Sequence, residues 1–331
     1  MPDILVVKPS SFGDIVHGLQ VAETIRLGVP EARIDWVAAS AFAPLVRACA
    51  TVERVHEFRR RGGLRAFFAL VGELRRRHYD YVLDMQGLAR SALLTRLARG
   101  SVKVGRRDGR EGARLLCARV VDAPRGGWPA HAVDVLLPFA TVFGLEPTLR
   151  GRLEFPRAPR TCDAEFLTPT AGPTLVVFPE SRRVEKNWPG FAAFAEDLLD
   201  RVPDARIVWS GRTPTGRARL EAHREAGRFI DAGGRIALDE LPVVFAAADW
   251  VLANDSGPIH LAAAMDVRAL AVFGPTDPVR FGPWPPGSDR HRVVRAPGGD
   301  LSRLEPRKVV EILLAAGLRD ERRSTRGASP V

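Results

Sequence analysis

The chain has 331 residues, 46% apolar and 27% charged, with a formal net charge of +10 at pH 7. That balance excludes a disordered protein, and the length favours two domains over one. No apolar run reaches the ~20 residues of a membrane span, and Cys49, Cys117 and Cys162 are too scattered for a zinc or disulfide framework.

Ile4 to Lys8 reads as a first buried strand, not the apolar core of a signal peptide. Pro9 to Asp14 (PSSFGD) forms a polar turn, and Ile15 to Leu27 has helical periodicity. The turn lacks the Gly and Lys spacing of a P-loop and the three glycines of a dinucleotide fingerprint. Asp14 falls at or just inside the helix start. The positive helix end holds a carboxylate ionised there, either as a plain first-turn acid or as a base. Ile34 to Ala38 is the next strand, Phe42 to Cys49 a helix, and Val52 to Phe58 a strand-like segment running into Arg59, Arg60 and Arg61. Leu64 to Arg77 is an amphipathic helix and Tyr79 to Asp84 a strand. Met85 to Leu88 turns into a helix carrying Arg90 and Ser91, and Lys103 to Gly105 is a further short strand. This alternation describes a doubly wound sheet with its functional loops at one end.

From Leu153 to Pro173 the pattern lapses among Pro156, Pro159, Pro169 and Pro173. Residues 1–155 therefore form one expected domain, 156–173 a linker and 174–318 a second domain. The second alternation has strands at Thr174 to Phe178, Trp250 to Ala253 and Arg268 to Phe273, with a strand and turn over Arg206 to Gly211. Helices follow at Phe191 to Leu199, Thr215 to Ala226, Leu238 to Ala248 and Glu305 to Ala316, and residues 319–331 read as a disordered basic tail. Asn254-Asp255-Ser256-Gly257-Pro258 separates an apolar strand from a helix that carries His260 one turn in, and Gly274-Pro275-Thr276-Asp277 closes the next strand. Two polar turns at adjacent strand ends are how open α/β sheets build ligand crevices, with backbone N–H groups at the helix start for an anion.

The positive excess lies in the first half, where 24 Lys and Arg face 16 Asp and Glu; the second half has 25 against 23. Such a field attracts anionic partners, including nucleic acid and membrane surfaces, although an Arg-rich composition of solvated faces accounts for most of these residues. No aromatic residues interleave with the basic runs, so no stacking platform for single-stranded nucleic acid is expected.

Five motifs occur in order: KPSSFGDIVH from Lys8 to His17, DMQGLARS from Asp84 to Ser91, KNWP from Lys186 to Pro189, NDSGPIHLA from Asn254 to Ala262, and FGPTDP from Phe273 to Pro278. Together they resemble the family 9 glycosyltransferases, the ADP-heptose:lipopolysaccharide heptosyltransferases, and most closely the first-heptose type. The resemblance implies the α/β GT-B architecture, two Rossmann-like doubly wound domains facing a central cleft, the final helix (305–316) crossing back to the N-terminal domain. It implies an inverting transfer of heptose from ADP-L-glycero-β-D-manno-heptose to Kdo of the lipopolysaccharide inner core, with no metal and no cofactor. Asp14 matches the family's base position and Lys186 the lysine beside the leaving diphosphate. Donor contacts then fall to Ser181, Arg182, Lys186, Asp255, Ser256, Gly257, His260 and Thr276, with His260 in a supporting role. The acceptor, an anionic glycolipid (Kdo-lipid A), would meet Ser10, Ser11, Gly13, Arg60, Gln86, Arg90 and Arg110, and Arg59 or Arg61 could exchange roles with Arg60. Asp84 reads as a strand-end support for the acceptor loop. The implied location is cytoplasmic and peripheral to the anionic inner membrane surface, with no nucleic-acid partner.

Two departures from the family pattern stand out. After Gly211, where first-heptose enzymes carry an acidic residue for the ribose, Arg212-Thr213-Pro214-Thr215 stand instead. Pro179 to Arg183 (PESRR) is also more charged than usual there. Another nucleotide sugar or polysaccharide acceptor, and, least favoured, a noncatalytic anion- or nucleic-acid-binding protein, stay open as alternatives.

Overall fold

The computed structural model describes residues 1–117, 119–211 and 218–319. The chain divides into two compact units, Met1–Ala158 and Pro159–Val331. In the first, β1 (Asp3–Val7), β2 (Arg33–Ala39), β3 (Arg54–Phe58), β4 (Tyr79–Asp84), β5 (Gly100–Gly105) and β6 (Arg119–Val120) form one sheet in the order β3-β2-β1-β4-β5-β6. Every pairing in it is parallel. β1 and β2 are apolar and buried along nearly their whole length, as strands covered on both faces by crossover helices must be. The helix Gly63–Leu74 turns Phe67, Leu70, Val71 and Leu74 inward to pack with Leu5, Val7, Val37, Tyr79 and Val82.

The second unit repeats the topology. β7 (Thr174–Phe178), β8 (Arg206–Trp209), β9 (Phe229–Asp231), β10 (Trp250–Asn254), β11 (Ala269–Phe273) and β12 (His291–Arg295) are ordered β12-β11-β10-β7-β8-β9, again all parallel. Counted from its own first strand, this is the 3-2-1-4-5-6 order of the first unit and of doubly wound nucleotide-binding folds. In such a sheet the winding reverses between strands 1 and 4, and the loops at the carboxyl ends of that pair splay apart. Here the pairs are β1 with β4, where Val7 lies opposite Asp84, and β7 with β10, where Phe178 lies opposite Ala253.

The stretch expected as a linker is docked rather than loose. Arg157 donates to the carbonyls of Cys49 and Val52, within the first unit. Past the division, Thr161 bonds Glu240, and the short helix Ala164–Leu167 buries Phe166 under the guanidinium of Arg235. The final helix is Pro306–Ala315. Its buried face, Val309, Val310 and Leu313, belongs to the second unit's own core with Phe191, Phe194 and Leu198, and Trp188 Nε1 donates to the Leu304 carbonyl just before it. That face packs within the second unit. The 212–215 departure, the first residues of the expected 215–226 helix and the tail beyond Arg319 lie outside the described residues; the described part of that helix is Ala218–Glu225.

Candidate functional site

Two groups of polar side chains stand at the two switch points. In the first unit, the loop after β1 enters the helix Phe12–Gly28, and Asp14 is its third residue. Asp14 Oδ2 accepts from the Ser11 N–H at 3.1 Å and from the Ser11 hydroxyl at 2.6 Å. Oδ1 faces Lys8 Nζ at 3.9 Å, and the side chain remains 47% exposed. Burial alone would raise the Asp14 carboxyl; the Lys8 ammonium and the Ser11 bonds outweigh it and bring it down to about 2. Lys8 is itself 1% exposed, and burial lowers it to about 8 against the opposing pull of Asp14. So Asp14 is ionised at any physiological pH, with one oxygen fixed by Ser11 and the other turned toward a cation.

Across the switch point, Asp84 at the end of β4 is fully buried, and burial pushes its carboxyl up. Its Oδ1 accepts from the N–H groups of Gln86 and Gly87 at 3.1 and 2.9 Å, which shapes the turn. Gly87 has φ +70°, and a Cβ there would lie 3.0 Å from the Arg106 side chain, so glycine fits both the conformation and the space. Asp84 thus supports the loop. Gln86 Oε1 in turn accepts from the Ser10 N–H at 3.2 Å and ties the two switch-point loops together.

A cavity of about 530 Å³ adjoins these loops, lined by Ser10, Arg60, Arg61, Gln86 and Arg90 among others. Four of the expected acceptor residues therefore share one cavity, and Arg61 joins Arg60. Arg90 lies over the Phe58 ring at 5.8 Å, an apolar seat for its stem and face. Ser11 and Gly13 occupy the cap and the second position of the helix next to Asp14. Arg110 does not line the cavity: its backbone N–H donates to the Gly87 carbonyl and its side chain is exposed.

In the second unit, Asp255 follows β10 and is the hub. Lys186 Nζ approaches its Oδ2 to 2.5 Å, and the Thr276 hydroxyl donates to the same oxygen at 2.7 Å. Both partners are partly or wholly buried, the side chains of Lys186 and Asp255 being 14% and 5% exposed. Three expected donor residues, from the loops after β7, β10 and β11, thus converge on one carboxylate. Lys186 is not a bare cation but half of an ion pair. Ser256 stands in extended conformation before the helix Gly257–Ala264, its hydroxyl donating to the Asn254 carbonyl at 3.1 Å, and Pro258 in the first turn removes an N–H that no helix could use. His260 is buried on that helix.

Ser181 and Arg182 share the 179–187 loop with Lys186, but the Ser181 N–H and hydroxyl both turn inward to Asn187 Oδ1, at 2.7 and 2.9 Å. Ser181 closes the loop, and Arg182 is exposed on it. Sequence reasoning missed Asn254, which is fully buried at the end of β10. Its Oδ1 accepts from the Trp188 N–H at 2.9 Å and its Nδ2 donates to the Pro179 carbonyl at 2.8 Å, so it clamps both ends of the Lys186 loop. An uncharged amide closing an apolar strand was the available signal. Lys8 belongs to the first motif, whose residue pattern gives it no role of its own.

Two doubly wound units in one chain, each gathering polar loops at its switch point, give the strand order of nucleotide-binding folds twice over. Comparison with known proteins carries this further. The profile of glycosyltransferase family 9 (heptosyltransferase) matches residues 67–307. Lipopolysaccharide heptosyltransferase 1 of Escherichia coli (strain K12) is 31% identical over 328 residues, covering 94% of this chain and 98% of that protein. The solved structure of E. coli heptosyltransferase WaaC with ADP matches with a TM-score of 0.77 at 29% identity, over 95% of this chain and 100% of that one. WaaC with ADP-2-deoxy-2-fluoro heptose matches with a TM-score of 0.74 at 28% identity, over 95% and 99%. The chain belongs to glycosyltransferase family 9, the heptosyltransferases, as its motifs implied, and is a sugar-transferring enzyme.

Proposed function

We propose that the enzyme transfers a heptose, with inversion, from ADP-L-glycero-β-D-manno-heptose to a Kdo hydroxyl of the lipopolysaccharide inner core. The observation that carries this reading is the division of charge between the two switch points: a solvent-reachable carboxylate in one unit, and a lysine beside a helix start in the other. In the reaction the acceptor oxygen forms a bond to the anomeric carbon while the bond to the ADP oxygen breaks, through an oxocarbenium-like state. Asp14 Oδ1 takes the hydroxyl proton. Its low basicity suits a proton that becomes acidic only as the new bond forms.

The departing diphosphate is met by Lys186, released from Asp255, and by the N–H groups at Ser256 and Gly257. Positive potential from these groups supports metal-independent chemistry. Asp255 and Thr276 hold the turn and orient the sugar, with His260 as a support beneath. Arg60, Arg61 and Arg90 meet the anionic groups of the Kdo-lipid A acceptor, and Arg110 joins them from the rim. Among the described residues no helix is long and apolar enough to cross a membrane. The positive excess of the first half favours contact with the anionic inner face of the cytoplasmic membrane, where such an acceptor resides. That WaaC was solved with ADP and with a fluorinated ADP-heptose supports the donor assignment.

Calorimetric titration of the purified chain with ADP-heptose, and with UDP- and GDP-linked sugars, tests the donor. ADP-heptose is expected to bind at least tenfold tighter than the others. Preference for another nucleotide would favour a different donor in the same fold, the reading that Arg212 to Thr215 keeps open.

A further inference from the structure

Lys8 is a cation with no access to substrate. It is 1% exposed, closes β1, and packs its stem near Trp36, whose indole N–H donates to the Lys8 carbonyl at 3.1 Å. A buried ammonium is costly unless a charge answers it. Asp14 answers it, with Oδ1 3.9 Å from Nζ. The other charges bearing on Lys8 are Asp84 at the end of β4, and Arg106 with its partner Asp108 after β5. His17 faces Asp14 from the same helix, with the His131 ring 6.0 Å from its own.

An acceptor that carries carboxylates or phosphates raises a difficulty for any base beside it. Negative charge brought near Asp14 favours its protonated form, which cannot take a proton from the hydroxyl. The exposed arginines of the cavity are screened by solvent and engaged by the acceptor itself. A cation sealed behind the carboxylate is neither. We propose that Lys8 is a positioning residue, whose buried ammonium keeps the Asp14 carboxylate ionised and aimed while an anionic acceptor occupies the adjoining cavity. This rests on the reading of Asp14 as the base.

The test follows the Asp14 carboxyl carbon by NMR in the full-length chain, its signal identified by its loss in Asp14→Asn. In the unsubstituted protein the signal is expected to titrate below the ordinary carboxylate range and to show a second inflection near pH 8 as Lys8 loses its proton. Lys8→Met keeps the stem against Trp36 and removes the charge. In it the carboxyl midpoint should rise by about 1–2 pH units. The acid limb of kcat/KM should rise with it while donor affinity stays unchanged, a shift that lost packing alone would not produce. An Asp14 midpoint in the ordinary range with no inflection near pH 8 would overturn the proposal, even if Lys8→Met does not fold. So would an unmoved midpoint in a folded Lys8→Met. A fully active Asp14→Asn would instead sink the base reading and leave the carboxyl titration as it was.

Discussion

Asp255 shows how much one carboxylate can organise. Its side chain is 5% exposed and accepts from both Lys186 and Thr276, so it is a buried anion whose cost is offset by one cation and one hydroxyl. Removing the cation leaves the anion with Thr276 as its remaining side-chain partner among the described residues. Lys186→Ala is therefore expected to lower stability by roughly 3 kcal/mol, read from the denaturant midpoint, and to weaken both donor binding and turnover. If the substitution left the rate and donor affinity intact, the lysine would be a structural partner of Asp255 and nothing more. The contrast between Asp14 and Asp84 lies at the same scale. Both stand at the β1–β4 switch point, yet the half-exposed Asp14 is held low by Lys8 and Ser11. Asp84 is fully buried and raised, and spends its bonds on a turn. Environment separates their roles where residue type cannot.

Among the elements, the strands covered on both faces were legible as short apolar runs: β1, β2, β7, β10 and β11 lie within two residues of where their sequence puts them. β12 was not. His291-Arg292-Val293-Val294-Arg295 is an edge strand, where charge is tolerated and even protective, so its composition looks like a loop. The two residues of β6 and the three of β9 are too short to carry a period. The helix Pro306–Ala315 was legible as a helix, but its partner was not. Periodicity reports that an apolar face exists, not which unit covers it. Its burial against Phe191, Phe194 and Leu198 makes it part of the second unit's core. Leu313→Ala, at a fully buried site, is expected to cost about 2–5 kcal/mol, seen as a lower melting temperature. A change within about 0.5 kcal/mol would mean that the helix is not held by that core.

At the scale of the whole molecule, one strand order is used twice by two sequences with no evident repeat. Alternation of strands and helices made two doubly wound units legible, and the motifs named the residues. What the sequence could not show is that the Lys186 loop with its Asn254 clamp, and the Gln86 tie, lie at the switch points of their units. That depends on β1 lying beside β4 and β7 beside β10, a pairing across 70 or more residues of intervening chain. With proton removal proposed for the first unit and nucleotide binding for the second, the two should separate in a single variant. The decisive measurement is Asp14→Asn, assayed for turnover with Kdo-lipid A and ADP-heptose and, by calorimetry, for donor affinity. Turnover is expected to fall by about 10²–10⁴-fold with donor affinity unchanged. Turnover equal to that of the unsubstituted enzyme, or a loss fully explained by weaker donor binding, would contradict that expectation.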